Sequence, residues 1–442
     1  MQIQLSEHFT YSKLLRFTAP SMAMMVFISV YSIVDGFFVS NFVGSTALAA
    51  VNIIFPFLMI CGAFGFMIGS GGSALVAKTL GENKKFKANQ IFSLLIYTTV
   101  VFGVVISVSG LICLKPLVSA FNVEGELLAD SLLYGHILLP AVTAFMLQYI
   151  FQAFFIAAER PNFGFWVTVI AGCINIALDA LFVILFKWGL AGAAWATFIS
   201  ICSSAIIPLV YFMYPNKSPL RLGKTKLYTS AIVKSCTNGF SEFMSNISMS
   251  IVAILYNYQM LKFAGESGVA AYGVIAYINF IFLSVFLGYS AGSSPIVSYH
   301  FGSSNKQELH NLFRKSLILT GIFAVILTIS AEVFTVPLAK IFVSYDENLL
   351  EMAVRGFHIY AISFLLAGFN IYASAFFTAL NNGLISAVIS FCRTLVFECL
   401  CVLILPVFFG LTGIWSAIIV AEILALAVSA AFLIKLKKKY GY

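Results

Sequence analysis

The sequence predicts an all-α integral membrane protein: twelve transmembrane helices in two six-helix lobes related by an internal parallel repeat. Three observations predict it, namely composition, the length of the apolar runs, and self-similarity at one fixed offset. Of 442 residues, 61% are hydrophobic and only 10% charged, far from the balance of a soluble domain. Runs of about 20 apolar residues recur along the chain, each long enough to cross a hydrocarbon core of roughly 30 Å as a helix. Twelve such runs centre near residues 27, 62, 100, 144, 174, 202, 245, 284, 325, 366, 395 and 423. A barrel would show short alternating segments instead, and only closed helices satisfy their own backbone groups in lipid.

The first run lacks a small-residue cleavage site and reads as a retained crossing, with residues 1–12 as a short polar or amphipathic lead-in. The eight cysteines form no C-x-x-C pair, so neither a disulfide framework nor a metal site is expected from them. None of the five histidines forms a catalytic arrangement. His300 and His310 are expected in an inner loop, His136 and His358 near outer helix ends, all in solvated roles. The glycines Gly65, Gly69, Gly71 and Gly72 lack a following Gly-Lys-Ser/Thr and read as close helix packing, not a phosphate loop.

Charge placement sets the orientation, because basic residues stay on the cytoplasmic side. With the N-terminus inside, the inner segments hold nineteen Lys and Arg and the outer segments five, while the outer segments hold eight acids. Both termini are then cytoplasmic. Inner loops facing anionic headgroups account for the net charge of +8, and nucleic-acid binding is not needed to explain it.

One offset of 221 residues aligns the two halves: Gly71 lies over Gly292, Ser73 over Ser294, Val76 over Val297, and "GLAG" (189–192) over "GLTG" (410–413). Six crossings per half bring both halves into the membrane from the same side, an arrangement found in secondary transporters. The expected domains are a first lobe at residues 1–213, a cytoplasmic linker at 214–228 ("YPNKSPLRLGKTKLY") and a second lobe at 229–442.

Six charges remain inside apolar runs: Asp35, Asp179, Glu242, Glu398, Glu422 and Arg393. A charge at membrane depth costs several kcal/mol, so each needs a cavity, a partner or a proton. Asp179 precedes the turn at Gly189 by ten residues and Thr197 follows it by eight. At a rise of about 1.5 Å per residue, both sit roughly 12 to 15 Å below the outer end, level with Asp35 before Gly44. Asn175 lies one turn from Asp179 on the same face. Asp35, Asn175, Asp179 and Thr197 can therefore converge, and they offer two carboxylates, an amide and a hydroxyl to a hard cation such as Na+. Two carboxylates in a low-dielectric pocket cannot both ionise cheaply, so the pair can equally take up and release a proton. Pro20 interrupts the hydrogen-bond ladder of the first helix and gives it a place to bend.

On "SIVDGFFVSNFVGSTALAA", "GSGGSALVAKTLGE", "INIALD" and "GLAGAAWAT", nearly the whole chain resembles the multidrug and toxic compound extrusion (MATE) family of antiporters. The resemblance implies a non-enzymatic multidrug exporter of the cell membrane, exchanging bulky organic cations for Na+ or H+ bound at Asp35, Asn175, Asp179 and Thr197. It implies no resident cofactor, drugs and membrane lipids as partners, and a monomer as the working unit. Glu242 matches a seventh-helix glutamate that many members carry, but its usual acidic companion in the tenth helix is missing. Arg393, Glu398 and Glu422 stand instead in the last two helices, as a charge network or as a second site for substrate or cation.

Two other readings fit the sequence less well. A flippase or exporter of a lipid-linked or other amphiphilic substrate calls for a cationic cavity, whereas the intramembrane charges here are five acids to one base. An intramembrane aspartyl enzyme lacks a G-x-G-D motif and has no use for a twofold repeat.

Overall fold

The computed structural model describes residues 3–119, 124–343 and 346–442, and within them the chain is helical without a strand. Helix α1 spans Tyr11–Phe38 and carries Pro20. It is followed by α2 (Ser45–Gly81), α3 (Lys85–Ser119), α4 (Gly125–Leu138) and α5 (Val142–Ala157), the last two joined through a 3₁₀ turn at Leu139–Ala141. Helix α6 (Pro161–Asp179) passes into a π-helical segment at Ala180–Leu185, and α7 covers Gly189–Met213. Then come α8 (Thr229–Gly302), α9 (Lys306–Val343), α10 (Glu347–Ala361), α11 (Phe364–Ala379), α12 (Gly383–Phe391) and α13 (Cys399–Tyr440).

Among the described residues, nine helices are long and apolar enough to cross a membrane, or ten counting α10 and α11, which meet at 52°. Two of the nine are far longer than one crossing requires: Thr229–Gly302 has 74 residues and Gly383–Tyr440 has 58. Each is broken once, at Gly265 (φ 64°, ψ −155°) and at Gly410 (φ 56°, ψ −137°). Glycine tolerates these angles because it has no Cβ.

Contacts divide the chain into two compact units. The first comprises Met1–Leu5 and Phe27–Gly239, the second Ser6–Val26 and Phe240–Tyr442. Helix α1 thus changes unit between Val26 and Phe27, and α8 between Gly239 and Phe240.

In the first unit, α2 packs on α5 through its glycines, so closely that a Cβ at Gly65 would stand 2.7 Å from Met146 Cα. Gly71 meets the start of α8, where a Cβ would reach 2.0 Å from Ser235 O and 2.4 Å from Gly239 N. Residues 214–228 lie along α3: Arg221 N donates to Asn89 Oδ1 at 2.6 Å, Gly223 N to Ser93 Oγ at 3.0 Å, and Tyr228 Oη to Gln90 Oε1 at 2.9 Å.

In the second unit, Tyr256, Ile275, Phe286, Phe357 and Trp415 belong to one buried core. Gly292 packs on Thr18 of α1, with a Cβ 3.1 Å from Thr18 Cα. Gly292 and Gly71 are 221 residues apart, as are Gly239 and Thr18, so the same contact occurs once in each unit with equivalent partners. Positive φ recurs at the same offset, at Gly44 and Gly265, Asn83 and Ser304, and Gly189 and Gly410.

The polar or amphipathic lead-in is anchored through its apolar residues. Leu5 and Phe9 are fully buried. Leu5 N donates to Glu159 Oε1 at 2.8 Å. Glu308 receives Phe9 N at 2.9 Å and stands 2.6 Å from His8 Nδ1, while Lys315 Nζ donates to Phe9 O at 2.6 Å. Among the histidines expected to be solvated, His300 is the exception. His300 closes α8 and is 2% exposed, edge-on to Phe9, because the anchored arm covers it. His358 pairs with Glu332 and His136 Nδ1 lies 2.6 Å from Leu132 O, and both side chains keep their contact with solvent. His310 lies on the exposed face of α9, not in a loop.

Candidate cation site

Asp35 stands near the end of α1, four residues before the π-helical segment Val39–Val43. Asp179 is the last residue of α6, at the point where the helix widens into its own π-helical segment. An extra residue in a turn re-aims the side chains around it, and such turns recur at functional sites. Asn175 lies one turn earlier on α6, and Thr197 comes from α7. All four belong to the first unit.

The structure brings the set together. Asn175 Nδ2 donates to Thr197 Oγ1 at 3.4 Å, and Asp35 is close enough to Asp179 and Asn175 to interact with both. Asp179 is fully buried and Asn175 is 2% exposed. Yet Asp35 Oδ1, Asn175 Oδ1 and both carboxylate oxygens of Asp179 meet no donor in hydrogen-bond geometry among the described residues. An orphaned buried acceptor costs about 1–3 kcal/mol, more if it is charged. Four oxygens turned inward without donors fit a small hard cation or a shared proton. Among the described residues there is no cluster of three or more His, Cys, Asp or Glu that could hold a metal.

Two tyrosines escaped the sequence reading. Tyr31 lies one turn before Asp35 and senses its charge, a placement the helical spacing could have revealed. Tyr134, 3% exposed on α4, lies in the field of both Asp35 and Asp179. Nothing in its own segment points there, because α4 reaches the site only through tertiary packing.

The second set divides. Arg393 and Glu398 lie in the π-helical segment Cys392–Glu398 between α12 and α13, and Glu422 lies on α13. Arg393 Nη2 donates to Glu422 Oε1 at 2.6 Å, and Asn370 Nδ2 donates to Glu422 Oε2 at 2.7 Å. Ser429 Oγ in turn donates to Asn370 Oδ1 at 2.9 Å. Glu398, 9% exposed, lies in the field of Arg393 and Glu422, and Tyr256, Tyr272 and Tyr360 lie in its own. No described contact joins the Glu242 carboxyl to this network. Asn370, on α11, was missed by sequence, where a lone buried amide in an apolar run carries little signal. Pro20 lies inside α1 in the second unit, six residues before the helix changes unit.

Residues 20–181 and 243–403 match the MatE family, one stretch in each half. The chain belongs to the MatE family. This MatE chain is 24% identical over 426 residues to the multidrug export protein MepA of Staphylococcus saprophyticus, covering 94% of this chain and 91% of that protein. It is likewise 24% identical over 423 residues to MepA of Staphylococcus aureus, covering 94% and 92%. Solved structures share the fold. A MATE in complex with MaL6 aligns with a TM-score of 0.93 at 22% identity over 98% of each chain. A MOP superfamily transporter from Pyrococcus furiosus aligns at 0.92 and 21%, over 99% of this chain and 98% of that one.

Proposed function

We propose that this chain is a secondary active exporter that exchanges organic, often cationic and aromatic compounds for Na+ or H+ bound at Asp35, Asn175, Asp179 and Thr197. The observation that carries the reading is the set of buried, donor-free oxygens of Asp35, Asn175 and Asp179, with Thr197 bonded to Asn175 beside them. The relatives named as multidrug export proteins support the substrate class.

Counting two crossings for each long helix broken at Gly265 and Gly410, and one for the bent pair α10 and α11, gives twelve transmembrane helices. The recurrence of positive φ at one offset and the family match in each half support two six-helix lobes related by the repeat, with proposed chain bounds of 1–213 and 229–442 and a linker at 214–228, while residues 6–26 and 229–239 pack with the other half. The basic residues gathered on one side support cytoplasmic termini. Exchange requires only that ion and drug stabilise different states of the transporter. An ion entering from outside and held by Asp35 and Asp179 would favour the state closed to the outside and lower its affinity for the drug. Arg393, Glu398 and Glu422 form a network that holds the second lobe, and Glu242 remains a candidate substrate carboxylate.

Ethidium efflux from energised vesicles, with the sodium gradient and the proton gradient collapsed separately, tests the reading. Loss of efflux with either one supports coupling, whereas efflux indifferent to both contradicts it.

A further inference from the structure

The first unit carries a pocket that the exchange chemistry does not use. It has a volume of about 380 Å³ and lies where residues after α7 meet the turn before α6. Its lining includes Arg160, Lys217, Asn216, Val210, Tyr211 and Tyr214, two cations with no acid. The neighbouring Glu159 is engaged with the Leu5 amide.

Four features make this a built site. Arg160 Nη2 donates to Lys217 O at 3.1 Å, which fixes the guanidinium. Its Nε is buried and has no hydrogen-bond partner among the described residues. Arg160 is also the N-cap of the 19-residue helix α6, whose positive dipole end adds to the two side-chain charges. Asn216 Nδ2 ties down the rim by donating to Tyr211 O at 3.1 Å and Tyr214 O at 3.3 Å.

A stripe of exposed apolar residues leads to the same place. Ile199, Ile206, Val210 and Met213 recur at steps of seven, four and three along one face of α7, and Val210 lines the pocket. Tyr214, 66% exposed, follows at the level where amphipathic rings favour the membrane boundary. A free phosphate ion would use the cations and leave the stripe idle. A phospholipid uses both, its chains along α7 and its phosphate in the pocket.

The geometry points to a binding site for one acidic phospholipid, its phosphodiester held by Arg160 and Lys217. The inference requires that α7 spans a membrane and is independent of the ion-exchange reading.

Native mass spectrometry of the detergent-solubilised full chain, titrated with phosphatidylglycerol or phosphatidylcholine, tests it. One phosphatidylglycerol should be retained at least about fivefold more strongly than phosphatidylcholine, and Arg160→Gln or Lys217→Gln should each weaken it about fivefold. Millimolar inorganic phosphate should not displace it. Arg160→Gln removes a backbone contact and can impair folding, but Lys217→Gln alters only an exposed side chain and keeps the test decisive. Equal retention of phosphatidylcholine, unchanged binding in Lys217→Gln, or displacement by phosphate would each overturn the assignment.

Discussion

Arg393 donates twice to one oxygen of Glu422, from Nε at 2.8 Å and from Nη2 at 2.6 Å, across 29 residues of chain. Glu422 is 1% exposed, and its other oxygen is held by Asn370. Removing one partner strands a buried charge, which typically costs about 3–5 kcal/mol, whereas replacing both by apolar groups of similar volume is often neutral. Glu422→Leu is therefore expected to lower the melting temperature in detergent sharply, and Glu422→Leu with Arg393→Met to recover most of the loss. A double variant no better than the single one would show that the pair does more than neutralise itself.

The contact between Gly71 and the start of α8 leaves no room for a methyl group. With backbone at 2.0 Å and 2.4 Å from the added Cβ, Gly71→Ala is expected to cost about 3 kcal/mol or more and to reduce the yield of monodisperse protein. Gly223→Ala, with nothing within 4 Å, is the control and should be silent. Size-exclusion profiles of the two purified variants decide it.

At Gly410 the constraint is conformational. Nothing lies within 4 Å of an added Cβ, but φ is +56°. Gly410→Ala should lose about 1–3 kcal/mol in thermal unfolding through backbone strain alone. Gly273→Ala, in open space within α8 at ordinary helical angles, should lose nothing.

Glu308 holds the N-terminal arm through Phe9 N and His8, with Asn311 Nδ2 donating to the same carboxylate at 2.8 Å. Glu308→Ala orphans those donors, at about 1–3 kcal/mol for a buried one. Local opening of the arm together with the first turn of α1 should follow, read as trypsin cleavage after Lys13 accelerated about tenfold. Cleavage at the wild-type rate would mean that the burial of Leu5 and Phe9 is sufficient.

Apolar run length made the helical membrane class readable, and the 221-residue offset brought Gly189 and Gly410 into register before any backbone angle was seen. The convergence of Asp35, Asn175, Asp179 and Thr197 followed from counting residues to the outer turn, because helical rise converts spacing into depth. Depth says nothing about sideways packing, so Tyr134 and Asn370 stayed hidden: both arrive from helices whose own sequence gives no direction. The anchorage of the N-terminal arm is not legible in sequence for a similar reason, since Leu5 and Phe9 are single apolar residues in a polar stretch and their acceptors, Glu159 and Glu308, lie far along the chain.

The most direct test of the central claim is drug efflux from energised vesicles containing wild type, Asp35→Asn or Asp179→Asn, with drug binding measured on the same purified proteins. The account predicts that each variant still binds drug but loses ion-driven efflux at least about tenfold, one carboxylate being insufficient to capture and release the ion. Undiminished ion-dependent efflux by Asp35→Asn would contradict it.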